Sequence, residues 1–516
     1  MQRTAMSVQD ALWLTMDRPN SLMVIDTIMW FRQPLDWDAV EAVVQERLVE
    51  RFPVFHRRPT QEGASWYWED DPDFDLARHL VRHSVSQAGG LPELQQYVSA
   101  QRSVPFDKSR PLWVLHLVDG VHFPDGDVGS AVMGRFHHAI ADGVRLVQVT
   151  LGMCDMSADA APRKVGKKLR RSTTPAAVAT SAAKNVGRGV ADIVVSSAES
   201  VSGVVTDAVS GTVGTVQAAL GGDVLGAAAK VGESGTNLFR GGLSVLRNPE
   251  RVADLAKVVS SPGNRVVNDL ATVAKLALAG SSVDTVWTGT PGIDKGAHFA
   301  PMLDLGEVKA VRRATGTTVN DVLLAAISGA LTRYLREHGD DGVDEVLWMI
   351  PVSIKAFDAE LPKDLGNYFA LVAFRMPLGI DDRRARLAEV HERMERIKNS
   401  DEALLTFGVQ RTISQAPDGL ATVLTNFFAD KAVGVLTNVP GPQRPMTLAG
   451  VEVDGVLGWA PCSGDQPMTI CIFSYNGKVA VGFGVDRTLV PDGDRLGELL
   501  GEEFSQMHAQ LVGLVP

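Results

Sequence analysis

The chain has 516 residues, of which 45% are hydrophobic and 22% are charged, and its formal net charge is −11. A chain of this length can form two or more domains, and its composition is typical of a globular protein rather than a disordered one. The negative net charge argues against general nucleic-acid binding, because that activity needs a basic surface to neutralise phosphates.

Neither the cysteines nor the apolar runs indicate export or membrane insertion. The three cysteines, Cys154, Cys462 and Cys471, lack metal-ligand spacing and a disulfide pattern, which favours reduced thiols. Residues 1–10 lack the apolar segment of a signal peptide, and no run approaches the roughly 20 apolar residues that span a bilayer. We therefore expect a cytoplasmic protein.

Residues 1–158 alternate between strand-like and helix-like stretches, which predicts a first domain of the α/β class with mixed sheets. Strands are predicted at 24–31 and 113–118, and a helix at 37–52. Prolines at the ends of these stretches mark element boundaries, because proline interrupts helices and central strands. His79 and His83 have the i,i+4 spacing of two metal ligands on a helix, but no third ligand accompanies them, so we predict no metal site.

The string HHAIADG at residues 137–143 is the strongest candidate site in the chain. It follows a predicted strand at 131–136 and precedes a predicted helix. Neighbouring side chains of a strand point to opposite faces, so His137 and His138 can share a cavity only if the strand has ended. We expect one histidine to be catalytic and the other supporting. The alternative is that both histidines are only packed or exposed, and that Asp142 only caps the helix.

Residues 159–294 differ from their surroundings in composition and are predicted to be an insert or linker between domains. They are rich in Ala, Val, Gly, Ser and Thr, show partial helical periodicity, and begin with the basic residues Arg163, Lys164, Lys167, Lys168, Arg170 and Arg171. An amphipathic segment beside a basic cluster could lie on an anionic membrane or a lipid droplet. The alternative is a partly disordered linker.

Residues 295–516 resume globular patterning and predict a second α/β domain. Helices are predicted at 319–334, 381–397 and 492–512, and strands at 345–352, 368–376, 433–436, 468–475 and 478–485. Asn476-Gly477 between the last two strands predicts a hairpin turn.

Further short strings lie at element boundaries, and each also has a structural explanation. They are Pro111-Leu112-Trp113, Asn320-Asp321 within NDVLLA, Pro351-Val352-Ser353, Gly366-Asn367, and TNVPGP at 437–442 with Asn438 and Gly441. A proline before an apolar strand is common, Asn320 and Asp321 could cap a helix, and the TNVPGP string could be a surface turn.

The HHxxxDG string resembles the motif of the CoA-dependent acyltransferase superfamily, which includes chloramphenicol acetyltransferase and the condensation domains of peptide synthetases. Together with the other strings, in their order and spacing, it resembles the bacterial wax ester synthase/diacylglycerol acyltransferase family. The family string NDVVLA appears here as NDVLLA, a modest aliphatic change. The resemblance covers residues 7–143 and the chain from about residue 299 onward, and it excludes the insert.

This resemblance implies two chloramphenicol-acetyltransferase-like domains with an active-site tunnel at their interface. It also implies transfer of a fatty acyl group from acyl-CoA to diacylglycerol or to a long-chain alcohol, with no metal and no cofactor. Such substrates could bring the protein to the inner membrane face or to lipid droplets. Since the chain contains no GxSxG string, nothing indicates a serine acyl-enzyme.

Site roles follow from the same resemblance. His138 is expected to be the general base, because the superfamily's H-x-x-x-D spacing runs from His138 to Asp142, with His137 supporting it. Asp142 is expected to be structural, through an ion pair with an arginine for which Arg375 is the candidate, and Gly143 completes the motif. The residues expected to bind substrate or to shape the site are Pro111, Leu112, Trp113, Asn320, Asp321, Gly366, Asn367, Asn438 and Gly441.

Two alternative functions stay open at this point. A condensation-type acyltransferase would use a carrier-protein thioester instead of acyl-CoA, although no carrier domain flanks the motif. A non-catalytic lipid-surface scaffold would use the insert as an anchor, although the intact HHxxxDG string counts against it.

Overall fold

The computed structural model describes residues 3–63, 65–86, 90–156, 284–353, 361–398 and 432–513. The predicted insert lies outside these ranges up to residue 283, so its lipid contact and the domain boundaries stay predictions. Met1–Ala160 and Ser281–Pro516 belong to one compact unit, so the two halves that flank the insert fold together.

The helices of the described residues include the five predicted from hydrophobic periodicity, with shifted ends, and three that the sequence analysis did not predict. They are α1 (Val8–Met16), α2 (Trp37–Val44), α3 (Gly90–Arg102), α4 (Gly143–Gly152), α5 (Leu305–Thr315), α6 (Val319–Glu337), α7 (Arg383–Lys398) and α8 (Gly493–Val512). The helix predicted at 37–52 is shorter than expected, because α2 passes into a π-helical turn that ends at Val49.

The strands predicted in both halves are also present, and several are longer than expected. The strands are β1 (Arg3–Ala5), β2 (Val24–Phe31), β3 (Arg57–Glu62), β4 (Ser65–Asp70), β5 (Leu80–Ser84), β6 (Trp113–His122), β7 (Val128–His137), β8 (Asp155–Met156), β9 (Lys295–Phe299), β10 (Leu303–Asp304), β11 (Glu345–Ser353), β12 (Phe369–Pro377), β13 (Gly434–Pro440), β14 (Met446–Leu448), β15 (Val451–Glu452), β16 (Gly455–Trp459), β17 (Met468–Tyr475) and β18 (Lys478–Asp486). Asn476 and Gly477 form the predicted hairpin turn with φ angles of 44° and 82°.

Two mixed sheets organise the described residues. The first has the strand order β16-β2-β7-β6-β5, and the second has the order β10-β18-β17-β13-β11-β12 with β9 also paired to β18. Strand β16 comes from the second half of the chain but pairs antiparallel with β2 of the first half, with Gly455 opposite Trp30. The halves are therefore joined by backbone hydrogen bonds as well as by packing.

Apolar side chains from both halves also meet in one core. Phe136 and Leu146 of the first half belong to the same buried cluster as Leu365, Phe473 and Tyr475 of the second half. A separate cluster lies within the second half and includes Trp287, a residue near the end of the predicted insert that is 1% exposed. The shared cluster packs behind the HHxxxDG string, since it also contains residues 139–141.

A buried ion cluster fixes the helices of the second half. Glu503 of α8 is 2% exposed and binds the guanidinium groups of Arg383 and Arg386 of α7. Arg386 also donates through Nε to the carbonyl of Ala325 in α6, at 3.0 Å. One carboxylate thus holds three helices together.

We predict that Glu503→Ala lowers the free energy of unfolding by about 3–5 kcal/mol, because it leaves the buried Arg386 guanidinium without a counter-charge. The neighbouring Glu502 is the matched control, since its partners Arg333 and Arg495 lie at the surface. Glu502→Ala should cost no more than about 1 kcal/mol. Urea denaturation of both variants measures the difference, and equal losses would contradict a structural role for the buried cluster.

Candidate active site

The HHxxxDG string forms the loop between β7 and α4. Strand β7 ends at His137, and α4 begins at Gly143, as the sequence predicted. The backbone N–H of His137 donates to Leu112 O at 3.0 Å, and that of His138 donates to Met23 O at 2.8 Å. Because these bonds lead to segments before β6 and before β2, the two histidines are anchored on different sides of the strand end.

His137 is fully buried and its ring is engaged by neighbouring protein groups. Its Nδ1 accepts the backbone N–H of Ala139 at 3.1 Å, and its Nε2 lies 3.3 Å from Asp17 Oδ2. Asp17 also lies 3.1 Å from Lys108 Nζ. Burial raises the pKa of Asp17, but the contacts with His137, Met23 and Lys108 outweigh it and lower the pKa overall. The His137 ring is therefore held by protein groups, and its supporting role stays a prediction.

His138 lies in an aromatic environment. Its imidazole stacks on Trp13 of α1 with ring centroids 4.0 Å apart and planes 21° apart, and Phe369 of β12 lies 5.6 Å away. Residue His138 is 7% exposed. Burial lowers its pKa to about 4, because the charged imidazolium loses hydration. The ring is therefore neutral at pH 7 and able to accept a proton.

Asp142 joins the two halves of the chain. Its Oδ1 accepts the N–H of Arg145 at 3.0 Å and thereby caps α4, while its Oδ2 accepts the N–H of Tyr368 at 2.8 Å. Next to it, Ala141 and Gly366 form a parallel β-bridge. Burial raises the pKa of the Asp142 carboxyl group. Asp142 thus caps α4 and also ties the loop to the second half of the chain, so the capping explanation and the predicted orienting role are compatible.

The predicted partner of Asp142 is wrong. Arg375 lies on β12 and binds Glu345 of the neighbouring strand β11 at 2.6 Å. Asp142 instead uses backbone N–H groups, which no search for a basic side chain can find. Arg145 is the arginine beside the site, and its guanidinium lies 4.2 Å from the ring centroid of Tyr368.

Gly366 and Asn367, which were predicted to shape the site, both contact the HHxxxDG loop. Gly366 has a φ of 65°, a left-handed conformation that favours glycine, and its N–H donates to Ile140 O at 3.2 Å. Asn367 is 5% exposed, and its Nδ2 donates to His138 O at 2.9 Å and to Asp10 Oδ1 at 2.7 Å. The second half of the chain therefore contacts the backbone of the expected general base.

Pro111, Leu112 and Trp113 have a structural position behind the loop. Leu112 is fully buried and its carbonyl holds His137. The Trp113 ring stacks on His79 at 4.6 Å, and its Nε1 donates to Phe55 O at 2.7 Å. This tripeptide supports the site through packing.

Asn320, Asp321 and Asn438 form a second polar group whose described contacts do not include His138. Asp321 completes a capping box with Thr318 at the start of α6, and its Oδ2 lies 2.7 Å from His391 Nδ1. Asn438 donates from Nδ2 to Asn320 Oδ1 at 2.8 Å. Asn438 lies in β13, paired with Ile472, rather than in the predicted turn.

Gly143 and Gly441, the two remaining predicted glycines, differ in whether the structure has room for a larger residue. A Cβ on Gly143 would meet only Ile25 at 4.0 Å, so packing does not demand glycine at the start of α4. A Cβ on Gly441 would lie 2.6 Å from the Phe473 ring and from Ser474 O, so glycine is needed there. Gly441 follows β13 and donates to Ser474 O at 2.8 Å, which is a structural contact.

Sequence reasoning missed the contribution of α1. Asp10 and Trp13 lie one turn apart on this helix and contact Asn367 and His138, respectively. The available signal was Asp10 itself, because it stands at i,i+3 and i,i+4 from Trp13 and Leu14, where an apolar residue is expected. An acidic residue on the apolar face of a helix indicates a buried partner.

The sequence predicted neither a metal site at His79 and His83 nor a membrane-spanning helix. His79 ends a 3-10 turn and His83 lies in β5, so they do not share a helix, and no cluster of three potential metal ligands occurs in the described ranges. His83 instead stacks on Tyr97 with centroids 3.8 Å apart. None of the helices described is both long enough and apolar enough to cross a bilayer.

Two family models match the chain. The wax ester synthase/diacylglycerol acyltransferase catalytic domain matches residues 6–231, and the WS/DGAT C-terminal domain matches residues 365–508. The first match contains the HHxxxDG loop and the second contains Asn367 of the site. His138 is therefore contacted from both matched domains, by Trp13 of the first and by Asn367 of the second.

Solved structures confirm the predicted two-domain acyltransferase fold. The wax ester synthase/diacylglycerol acyltransferase from Marinobacter aquaeolei has a TM-score of 0.63 at 18% identity, with 99% of this chain and 100% of that chain covered. The first condensation domain of the calcium-dependent antibiotic synthetase has a TM-score of 0.54 at 15% identity, with 100% and 98% covered. At these identities the likeness concerns the fold.

Curated relatives carry names from the same family. The O-acyltransferase WSD of Acinetobacter baylyi is 23% identical over 516 residues, which cover 96% of this chain and 95% of that protein. A protein of Mycobacterium tuberculosis named as a probable diacylglycerol O-acyltransferase is 24% identical over 459 residues, with 88% and 83% covered. The chain therefore belongs to the wax ester synthase/diacylglycerol acyltransferase family, and it is an acyltransferase.

Proposed function

We propose that the protein transfers a long-chain fatty acyl group from acyl-CoA to the hydroxyl of a diacylglycerol or of a long-chain alcohol, with His138 as the general base. The observation that carries this proposal is the neutral, buried imidazole of His138 in a loop that both halves of the chain hold. The names of the relatives support the choice of acceptors. The proposed reaction needs no metal and no cofactor.

The chemistry is a direct exchange of a thioester for an ester. His138 takes the proton of the acceptor hydroxyl while the hydroxyl oxygen attacks the thioester carbonyl carbon and forms the new C–O bond. Collapse of the tetrahedral intermediate breaks the C–S bond, and the CoA thiolate takes the proton back from the imidazolium. Atoms and charges balance without a covalent enzyme intermediate.

The low pKa of His138 is compatible with this role. A free imidazolium is costly in the buried site, but the oxyanion that develops during attack supplies an opposite charge close to the ring. The face of Trp13 also favours a positive charge on the stacked imidazole. Protonation is therefore stabilised mainly when the intermediate forms.

The cysteines support direct transfer. Burial raises the pKa of Cys154 to about 12 and that of Cys462 to about 11, so neither thiol forms an appreciable thiolate at neutral pH. Burial also raises the pKa of Cys471. An acyl-cysteine intermediate would need the thiolate that these sites suppress.

The proposed acceptors determine where the protein has to act. Diacylglycerols and long-chain alcohols reside in membranes and lipid droplets, so the protein has to meet a lipid surface to collect them. We infer peripheral contact from the cytoplasmic side, and sedimentation with phosphatidylglycerol vesicles tests it.

The primary test compares wild type with His138→Ala, using palmitoyl-CoA and either dioleoylglycerol or hexadecanol. We expect kcat to fall by about 10²–10⁴-fold in His138→Ala, because general-base catalysis contributes on that scale. CoA release and ester product are followed together. His508→Ala in α8 is the matched histidine control and should retain wild-type kcat.

Two results would contradict the proposal. Folded wild type that forms no ester from acyl-CoA, but does so from an acyl-carrier protein, would indicate a condensation-type donor. Ester formation by His138→Ala at the wild-type rate would exclude His138 as the base.

The pH dependence of kcat/KM provides a second prediction. Because the base acts in its neutral form and its pKa lies at about 4, activity should be nearly constant from pH 8 to about pH 5 and decline only below that. An ordinary histidine would halve the activity near pH 6.5. Ester product is measured across this range, with circular dichroism at each pH to confirm folding. A midpoint near 6.5 would contradict a desolvated base.

Removal of the Asp142 side chain should lower both stability and kcat, whereas removal of the His138 side chain should lower mainly kcat. Asp142→Ala removes the cap of α4 and the acceptor for Tyr368 N–H, so we expect the free energy of unfolding to fall by about 1–3 kcal/mol together with kcat. His138→Ala should lose kcat with a smaller change in stability. Thermal unfolding of both variants, measured beside kcat, distinguishes an orienting carboxylate from a general base.

A further inference from the structure

The orientation of the Asn367 amide is determined by its surroundings. Its Nδ2 lies 2.7 Å from Asp10 Oδ1 and 2.9 Å from the carbonyl oxygen of His138. Both neighbours are acceptors, so the amide nitrogen, which is the donor, has to occupy this position. The amide oxygen Oδ1 therefore points away from Asp10 and the carbonyl.

The contacting residues His138 and Asn367 each have one buried polar atom without a hydrogen-bond partner among the described residues. Asn367 Oδ1 is buried and receives no hydrogen bond from the described residues, and the same holds for His138 Nδ1. One atom is an acceptor and the other becomes a donor when it carries the imidazole proton. Leaving both unsatisfied is unfavourable, whereas a single Nδ1–H···Oδ1 bond satisfies both.

The other polar side chains of the HHxxxDG string are already engaged. His137 accepts from Ala139 and faces Asp17, which is paired with Lys108. Asp142 accepts from the backbone N–H groups of Arg145 and Tyr368. The carbonyl of His138 itself accepts from Asn367 Nδ2. Burial has the largest effect on the pKa of His138 and lowers it, whereas hydrogen bonding to the backbone of His138 itself and, to a smaller extent, to the Asn367 side chain raises it.

We propose that Asn367 is a positioning residue of the reaction: its amide oxygen accepts the Nδ1–H of His138, and Asp10 fixes the orientation of that amide. This inference rests on the proposed function, because it assigns Nε2 of His138 as the atom that takes the proton. An acceptor at Nδ1 keeps the proton there and leaves the lone pair on Nε2. Asn367 thus selects the tautomer that can act as a base.

Asp10 acts through Asn367 rather than on the imidazole. It is 8% exposed, lies in the first turn of α1, and its backbone N–H is held by Ser7 Oγ at 3.0 Å. If Asp10 were absent, the amide could rotate and present Nδ2 to the ring. A donor at that place would favour the opposite tautomer, with the proton on Nε2 and no free base.

The first test is kinetic. In Asn367→Ala we expect kcat to fall roughly 10- to 100-fold while KM changes by less than about threefold, because the lost interaction orients the base after substrates have bound. Asn20→Ala is the matched control. The Asn20 amide also donates between the halves, to Pro291 O at 3.3 Å, but lies outside the site, so its kcat should stay unchanged.

The second test asks whether Asp10 acts through Asn367. We expect Asp10→Ala to lower kcat less than Asn367→Ala does, and the double variant Asp10→Ala/Asn367→Ala to lose no more than Asn367→Ala alone. Asp10→Asn retains an acceptor for Nδ2 and should lie between wild type and Asp10→Ala. Fully additive losses in the double variant would overturn the role of Asp10.

The third test observes the tautomer itself and does not need turnover. In protein labelled with ¹⁵N-histidine, the Nδ1 and Nε2 resonances of His138 report which nitrogen carries the proton, and His138→Gln identifies them by their loss. We expect protonated Nδ1 in wild type and a shift toward protonated Nε2 in Asn367→Ala. An unchanged tautomer in folded Asn367→Ala would overturn the proposal.

These tests separate the two proposals. If wild type forms no ester from acyl-CoA, the proposed function fails, while the tautomer measurement still decides the role of Asn367. If wild type is active but the tautomer and kcat are the same in Asn367→Ala, the proposed function stands and this inference fails. Should Asn367→Ala not fold, Asp10→Asn and Asp10→Ala provide the same tautomer comparison.

Discussion

The structure depends on the pairing of residues 366–368 with the HHxxxDG loop. Three consecutive residues of the second half contact the loop in turn: Gly366 through the β-bridge to Ala141, Asn367 through the carbonyl of His138, and Tyr368 through the carboxylate of Asp142. Without these contacts, the loop after β7 would be held only from the first half. The position of the base is therefore a property of the two halves together.

The contact between the two halves explains why His138 is buried. The aromatic rings of Trp13 and Phe369 come from opposite halves and pack against the same imidazole and against each other. Their contact removes water from His138, which lowers its pKa and keeps the ring neutral. The assembly of the halves and the protonation state of the base are thus set by the same packing.

Much of this arrangement could be predicted from the sequence, because local patterns determine it. The strand ending at His137, the cap at Asp142 and the turn at Asn476-Gly477 follow from periodicity and turn chemistry over a few residues. The family strings also placed Gly366 and Asn367 in the site. These predictions needed no knowledge of long-range contacts.

The errors and omissions that matter most for the site concern long-range contacts. Arg375 was chosen for its charge, but on β12 it stands opposite Leu347 of the adjacent strand and binds Glu345 two residues away, a register that the sequence does not display. Asp142 binds the backbone N–H of Tyr368, and backbone groups carry no signature in the sequence. Asp10 and Asn367 are separated by 357 positions, so only the folded chain reveals that they form one unit.

The anchoring of the chain on both sides of the predicted insert has a consequence for how this chain can vary. Strand β8, just before the insert, pairs with β14, and Trp287, just after residue 283, is buried in the second core, so both ends of the connecting segment are anchored. The free-energy cost of closing a flexible connection rises only with the logarithm of its length. A change in the length of the chain between Met156 and Trp287 would therefore add little to the free energy of folding and would leave these two anchors in place.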